Sequence, residues 1–224
     1  MLYRDRTDAG KRLAIKLQAY ANRSDVLVLA LPRGGVLVAF QVAEALNAPL
    51  DIYLVRKLGV PGHKELAMGA IASGGVRVIN DDVVNYLGIS GETIDRVAEE
   101  ETEELSRRDH LYRGGKIRPE LSGRTIILID DGLATGSSMR AAVQALKQAN
   151  PAKIVIAVPV APSSTCEGFK TEVDEIICLE TPEPFQAIGL WYRNFSQTTD
   201  EEVKELLERA AQRTERKAAT KGVS

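Results

Sequence analysis

The chain has 224 residues, 44% hydrophobic and 27% charged, with a formal net charge of −2, enough for one α/β domain with an appendage or at most two small domains. That charge balance excludes a global basic field for nucleic acid or an anionic membrane surface. No apolar stretch approaches the roughly 20 residues that span a bilayer, and Met1 to Arg6 have no apolar signal core behind their charges, so a cytoplasmic protein is expected.

Residues 8 to 21 have the pattern of a helix, with Thr7 as a candidate N-cap. Val26 to Leu31 is an unbroken apolar run of strand length, the pattern of a strand buried on both faces. Gly34 and Gly35 follow, and Val38, Ala39, Val42, Ala43 and Leu46 then share one helical stripe. Leu50 to Val55 reads as the second strand. Residues 91 to 113 form a long charged helix with Glu99-Glu100-Glu101 at its middle and Ile94, Val97, Ala98 and Leu105 as a thin apolar seam. A solvated surface is the expected role for its charges. Thr125 to Ile129 is the third strand, followed by a helix carrying Met139, Ala142, Val143 and Leu146 that Asn150-Pro151 stops. Ile154 to Val160 and Glu175 to Leu179 are two further strands. A last helix begins near Thr199, where Thr199 and Glu202 have capping-box spacing. Arg213 to Ser224 reads as a polar, disordered tail. This alternation predicts an α/β fold with a doubly wound parallel sheet. The two cysteines, Cys166 and Cys178, lie in or near apolar stretches. Two buried, reduced thiols are expected, with a disulfide, metal pair or redox pair as alternatives. His63 and His110 are the only histidines, which excludes a His-rich metal site.

The chemistry concentrates in Ile126-Ile127-Leu128-Ile129-Asp130-Asp131-Gly132-Leu133-Ala134-Thr135-Gly136-Ser137-Ser138-Met139. Four apolar residues lead a strand to the carboxyl edge of the sheet, where open α/β folds bind ligands. Two adjacent carboxylates there suit a polyhydroxyl ligand, a hydrated divalent cation, or both. The small turn behind them opens a helix, so unpaired N–H groups, hydroxyls and the helix dipole converge on an anion. A sugar diol beside a phosphate satisfies both halves.

This segment resembles the signature of the type I phosphoribosyltransferase family: four apolar residues, two acids, a variable stretch, then Thr-Gly and hydroxyl residues, here with Ser138 in the last place. The resemblance implies that Asp130 and Asp131 bind the ribose hydroxyls, directly or near water bound to Mg²⁺. It gives the 5′-phosphate to Ala134, Thr135, Gly136, Ser137 and Ser138. Two loops add to it. Leu31-Pro32-Arg33-Gly34-Gly35 has paired glycines for close backbone approach beside an Arg, and is similar to the family's pyrophosphate loop. Arg56-Lys57 through Pro61-Gly62-His63-Lys64-Glu65 is cationic and short, similar to the family's flexible loop, whose cations reach the leaving pyrophosphate.

Further likeness to a bacterial group of phosphoribosyltransferases runs from Asp5-Arg6 to Phe185-Gln186-Ala187-Ile188-Gly189, Trp191-Tyr192 and Phe195. The resemblance implies a core over residues 1–180 with the helical insertion at 91–113. A hood segment and C-terminal helix then occupy 181–212, ahead of the tail at 213–224. Trp191 and Tyr192 in that hood are candidates to stack on a planar acceptor, or else pack a small satellite core. Ala134 stands where the hypoxanthine and guanine enzymes carry an Asp, which disfavours a 6-oxopurine and leans towards the adenine and uracil members. The implied activity is Mg²⁺-dependent transfer of ribose 5-phosphate from 5-phosphoribosyl 1-pyrophosphate to a nitrogen acceptor. Mg²⁺, Arg33, Arg56 and Lys57 then face the leaving pyrophosphate. A binding module without turnover and a hydrolase of phosphoribosyl compounds are the rivals. Family members are commonly dimers, so a homodimer is open.

Overall fold

The computed structural model of the protein describes residues 2–221. Helix α1 (Arg6–Lys16) starts two residues earlier than its spacing suggested and ends sooner. Its cap is Asp5, whose carboxylate accepts from the Asp8 N–H at 2.8 Å, so Thr7 lies inside the first turn. Strand β1 (Val26–Ala30), helix α2 (Gly34–Leu46) and strand β2 (Leu50–Ile52) follow in the expected rhythm.

Residues 55–79 depart from it. Strands β3 (Val55–Val60), β4 (His63–Ala72) and β5 (Val76–Ile79) form a separate antiparallel sheet in the order β3-β4-β5. Arg56 and Lys57 are therefore strand residues, and between Arg56 and Glu65 only Pro61-Gly62 turns. The stretch Leu66 to Ala72 is rich in Ala and Gly, residues with little strand preference, and so disguises β4. Its small side chains have a use at Gly69, where a Cβ would sit 2.4 Å from the Val78 carbonyl of the next strand.

Helices α3 (Asp81–Leu87) and α4 (Gly91–Arg113) lead to strand β6 (Thr125–Ile129) and helix α5 (Ser137–Gln148). Strand β7 (Lys153–Val160), helix α6 (Ser163–Phe169), strand β8 (Glu175–Glu180) and helix α7 (Asp200–Lys221) complete the chain. The main sheet is parallel, in the order β2-β1-β6-β7-β8. Every residue of β1 and β6 is buried, and alternate residues serve opposite cores. Val26, Val28, Ala30, Ile127 and Ile129 face α1, α2, α4 and α7. Leu27, Leu29, Ile126 and Leu128 face α5 and α6. Each such Leu, Ile or Val stabilises the fold by roughly 1.5–3 kcal/mol through burial. Covering both faces is what makes these strands read as continuous apolar runs.

Two expectations about the ends and the cysteines are corrected. Thr199 and Glu202 do form the reciprocal cap of α7, at 3.1 and 2.8 Å, but α7 continues through Arg213 to Lys221 rather than fraying there. Arg213 anchors it by donating to the Ala48 carbonyl at 2.7 Å. Ser224 and its two predecessors lie outside the described residues. Cys166 and Cys178 are disulfide-bonded, with Cα atoms 6.7 Å apart. The crossover helix α6 between β7 and β8 presents Cys166 to the strand it feeds, a proximity that spacing alone did not reveal. Among the described residues no helix is long and apolar enough to cross a membrane.

Candidate functional site

At the carboxyl edge of the main sheet, the segment after β6 and the segment after β1 press against each other. The Pro32–Arg33 peptide is cis. A Cβ on Gly34 would fall 1.9 Å from Asp131 Oδ2, and one on Gly35 2.9 Å from the Ile129 carbonyl. The paired glycines are thus required by the close approach of the acids themselves. Asp130 Oδ1 accepts from the Asp131 N–H at 2.8 Å. Burial, then the neighbouring Asp131 charge, push the Asp130 carboxyl well above the usual carboxylate range. Burial raises Asp131 too, against the opposing pull of Arg6.

Arg6 was not singled out from the sequence as a site residue, although Asp5-Arg6 belongs to the resemblance. Its side chain is 9% exposed, and Nε donates to Asp131 Oδ2 at 2.7 Å. Nη1 donates to the Ser196 carbonyl at 2.8 Å, and the guanidinium lies 3.9 Å from the Phe195 ring centroid. A buried arginine paired to a carboxylate and capped by a ring is a well-satisfied ion pair. It ties the first turn of α1 to the second acid and to the segment after the hood.

Behind the acids, the turn from Gly132 to Gly136 runs into α5, whose N-cap, Gly136, has no side chain to close it. Of the first-turn N–H groups only that of Ser137 meets a side chain, Thr135 Oγ1 at a long 3.4 Å. The seat is therefore available to an anion. Ala134, Thr135, Ser137 and Ser138 are exposed around it. Gly136 has φ +72° and packs so closely that a Cβ would lie 2.7 Å from the Phe169 ring. Helix α6 buttresses the turn from outside: Thr165 Oγ1 donates to the Ala134 carbonyl at 2.8 Å, and Arg140 lies 4.7 Å from the Phe169 ring centroid.

Adjacent strand residues point to opposite faces, which separates the two cations of β3. Lys57 reaches the turn before α5, its Nζ 3.4 Å from Ser137 Oγ. Arg56 turns to α4, its Nε donating to Glu101 Oε2 at 2.6 Å. A cavity of about 140 Å³ lies between Arg56, Arg108, Tyr53, Asp130, Ser138 and Pro32. Arg33 lies towards α7, 3.9 Å from Asp200, which also accepts from the Tyr112 hydroxyl at 2.5 Å. His63 is exposed at the hairpin turn, and the side chain of Lys64 lies outside the described residues.

The hood aromatics pack on one another. Tyr192 is buried, 5.4 Å from the Tyr3 ring and 5.0 Å from Phe195, and donates its hydroxyl to the Asp131 carbonyl at 2.6 Å. It braces the acid rather than offering an open face. Trp191 is half-buried against Phe185, 6.4 Å between centroids. A larger groove of about 740 Å³ lies elsewhere, at the far end of α4 beside α7, and contains none of these acids.

The chain is similar to known proteins over most of its length. The structure of TT1426 from Thermus thermophilus has a TM-score of 0.84 and 39% identity, covering 92% of this chain and 98% of that one. A Mycobacterium tuberculosis protein named as a candidate phosphoribosyl transferase, Rv0571c, is 47% identical over 209 residues, which are 93% of this chain and 47% of that protein. The chain therefore spans about half the length of the curated relative. The phosphoribosyl transferase domain matches residues 2–189, a range that takes in both acids, the α5 seat and the paired-glycine loop, and the chain belongs to that family.

Proposed function

We propose that the protein binds 5-phosphoribosyl 1-pyrophosphate with Mg²⁺ and transfers ribose 5-phosphate to a nitrogen acceptor, a nucleobase or similar ring, releasing pyrophosphate with inversion at C1′. The observation that carries the reading is the open N-terminus of α5 directly behind Asp130 and Asp131. A phosphate at the α5 seat, held by the amides around Thr135 to Ser138, places the attached ribose over the acids. Asp130 accepts from the ribose hydroxyls, and Lys57 closes on the phosphate from β3. Arg56 stands on the leaving-group side of the same cavity.

The residues present fit Mg²⁺ of one kind only. Asp131 is paired with Arg6, and among the described residues Asp130 accepts from the Asp131 N–H alone and no group of three or more metal-ligating side chains occurs. Such a donor set suits an ion that keeps its waters and is bound mainly by substrate phosphates. When bound, Mg²⁺ would neutralise charge developing on the leaving pyrophosphate. The reading includes the cytoplasmic location expected from the sequence.

Calorimetric titration with 5-phosphoribosyl 1-pyrophosphate, with and without Mg²⁺, tests it. Mg²⁺-dependent binding is expected, and Asp130→Asn should weaken it by roughly 10- to 100-fold, the scale of a lost hydrogen bond to a charged group. No binding at millimolar ligand to the folded protein would sink the reading. Acceptors are then screened by pyrophosphate release.

A further inference from the structure

The spacing of α4 contains an anomaly. Ile94, Ala98, Leu105 and Tyr112 are each at most 7% exposed and recur at helical intervals. The same period places Glu101 and Arg108 on that stripe, where a helix packing against a core carries apolar residues. Both stay partly exposed, at 25% and 37% of their side chains, so the stripe opens to solvent there and what it lines is polar. Opposite them is the 140 Å³ cavity, to which α4 contributes Leu105 and Arg108, facing Arg56, Tyr53, Asp130 and Ser138.

Both guanidiniums of that wall are held in one manner. Arg56 Nε donates to Glu101 and Arg108 Nε to Glu104, each at 2.6 Å. The terminal nitrogens of neither arginine have a hydrogen-bond partner among the described residues. A guanidinium has five N–H donors in a planar fork, so anchoring at Nε leaves the end that matches phosphate oxygens. Tyr53 is 2% exposed, lines the same cavity, and its hydroxyl has no partner among the described residues either. Two forked cations and a free hydroxyl around one small space, which Asp130 also lines, make an anion site that adjoins the seat at α5 through Ser138.

We propose that α4 completes the pyrophosphate side of the cleft. Arg108 binds the leaving pyrophosphate beside Arg56, with Tyr53 as a neutral donor. Glu101 and Glu104 are the counter-charges that hold the two guanidiniums in place before the anion enters. The inference rests on the phosphoribosyl-transfer reading and adds to it a residue contributed by the long charged helix. That helix is thus a wall of the site, and Arg107, the second partner of Glu104 at 2.7 Å, is its outward brace.

The test is calorimetry with inorganic pyrophosphate and Mg²⁺, beside ribose 5-phosphate, on wild type, Arg108→Gln, Arg108→Lys and Glu104→Gln. Arg108→Gln should weaken pyrophosphate by about 10- to 100-fold, since charge-assisted hydrogen bonds contribute roughly 1.5–3 kcal/mol. Ribose 5-phosphate, seated at α5, should bind as in wild type. Arg108→Lys, which keeps the charge but not the fork, should fall between. Glu104→Gln retains an acceptor for Arg108 Nε and removes the competing charge, so it should bind pyrophosphate at least as tightly as wild type. Equal losses in Arg108→Gln and Glu104→Gln would mark a merely structural pair and overturn the inference, as would no loss in either arginine variant. A wild type that binds ribose 5-phosphate but not pyrophosphate overturns it alone. One that binds neither, nor 5-phosphoribosyl 1-pyrophosphate, overturns the proposed function as well.

Discussion

The two walls of the cleft are made from different materials. One is the turn between β6 and α5, built of backbone amides and small residues, with α6 pressed against its back. The other is made of long charged side chains, Arg56 from β3 and Arg108 from α4, held by glutamates. The first is preorganised by covalent sequence order and close packing. The second is assembled from residues about fifty positions apart and depends on charge balance. A backbone seat tolerates few substitutions, whereas a charged wall is tunable one side chain at a time.

The largest expected effect strikes the first wall. Replacing Cys166 and Cys178 by Ser removes a closed loop of sequence separation 12, worth up to about 3 kcal/mol by chain entropy. For a protein of this size that is roughly 6–12 °C in Tm, read by calorimetry or circular dichroism. Because α6 buttresses the turn, ribose 5-phosphate affinity should fall with it while pyrophosphate affinity holds; a loss confined to pyrophosphate would contradict the division of walls.

Next in size is Gly136→Ala, where φ is +72° and the added carbon would meet the Phe169 ring at 2.7 Å. A loss of about 1–3 kcal/mol is expected. Gly62→Ala, at φ +81° with nothing within 4 Å of the added carbon, has only the backbone term and is expected to cost less in urea unfolding.

The smallest effect has the opposite sign. Asp130 is held above its ordinary pKa by burial and by Asp131, so the unfolded chain releases its proton at lower pH than the folded one. Ionisation therefore costs folded stability as pH rises. Asp130→Asn removes that cost and should raise Tm at neutral pH by ~2–4 °C, the response to about 1 kcal/mol. The gain should vanish as pH falls to where wild-type Asp130 is itself neutral. Stability gained where ligand binding is lost would identify the acid as kept for function.

The same division explains what was legible in the sequence. Ile126 to Ser138 is local, and its strand, acids and turn could be read in order because each acts on its neighbours. The buried strands were equally plain, since coverage on both faces leaves an unbroken apolar run. The antiparallel sheet was missed because Leu66 to Ala72 packs by smallness rather than by β-branched bulk. Arg6 at the acids and Arg108 at the cavity were not singled out because what they face, Asp131 and the cavity wall, is remote in sequence. Both had a faint signal: Asp5-Arg6 within the resemblance, and a charged residue in register with the α4 seam. Trp191 and Tyr192 were legible as a cluster, but packing among themselves makes Tyr192 a brace beneath Asp131.

The first residues of the chain also bear on how the protein is handled. Leu2 and Tyr3 donate their backbone N–H groups to the Trp191 carbonyl at 3.1 and 3.0 Å, the Tyr3 hydroxyl donates to the Pro159 carbonyl at 2.8 Å, and Arg6 holds Asp131. A purification tag joined ahead of Leu2 therefore emerges within a few residues of the acidic pair and beside the hood. Ligand titrations belong on protein tagged after α7, which leaves these contacts untouched.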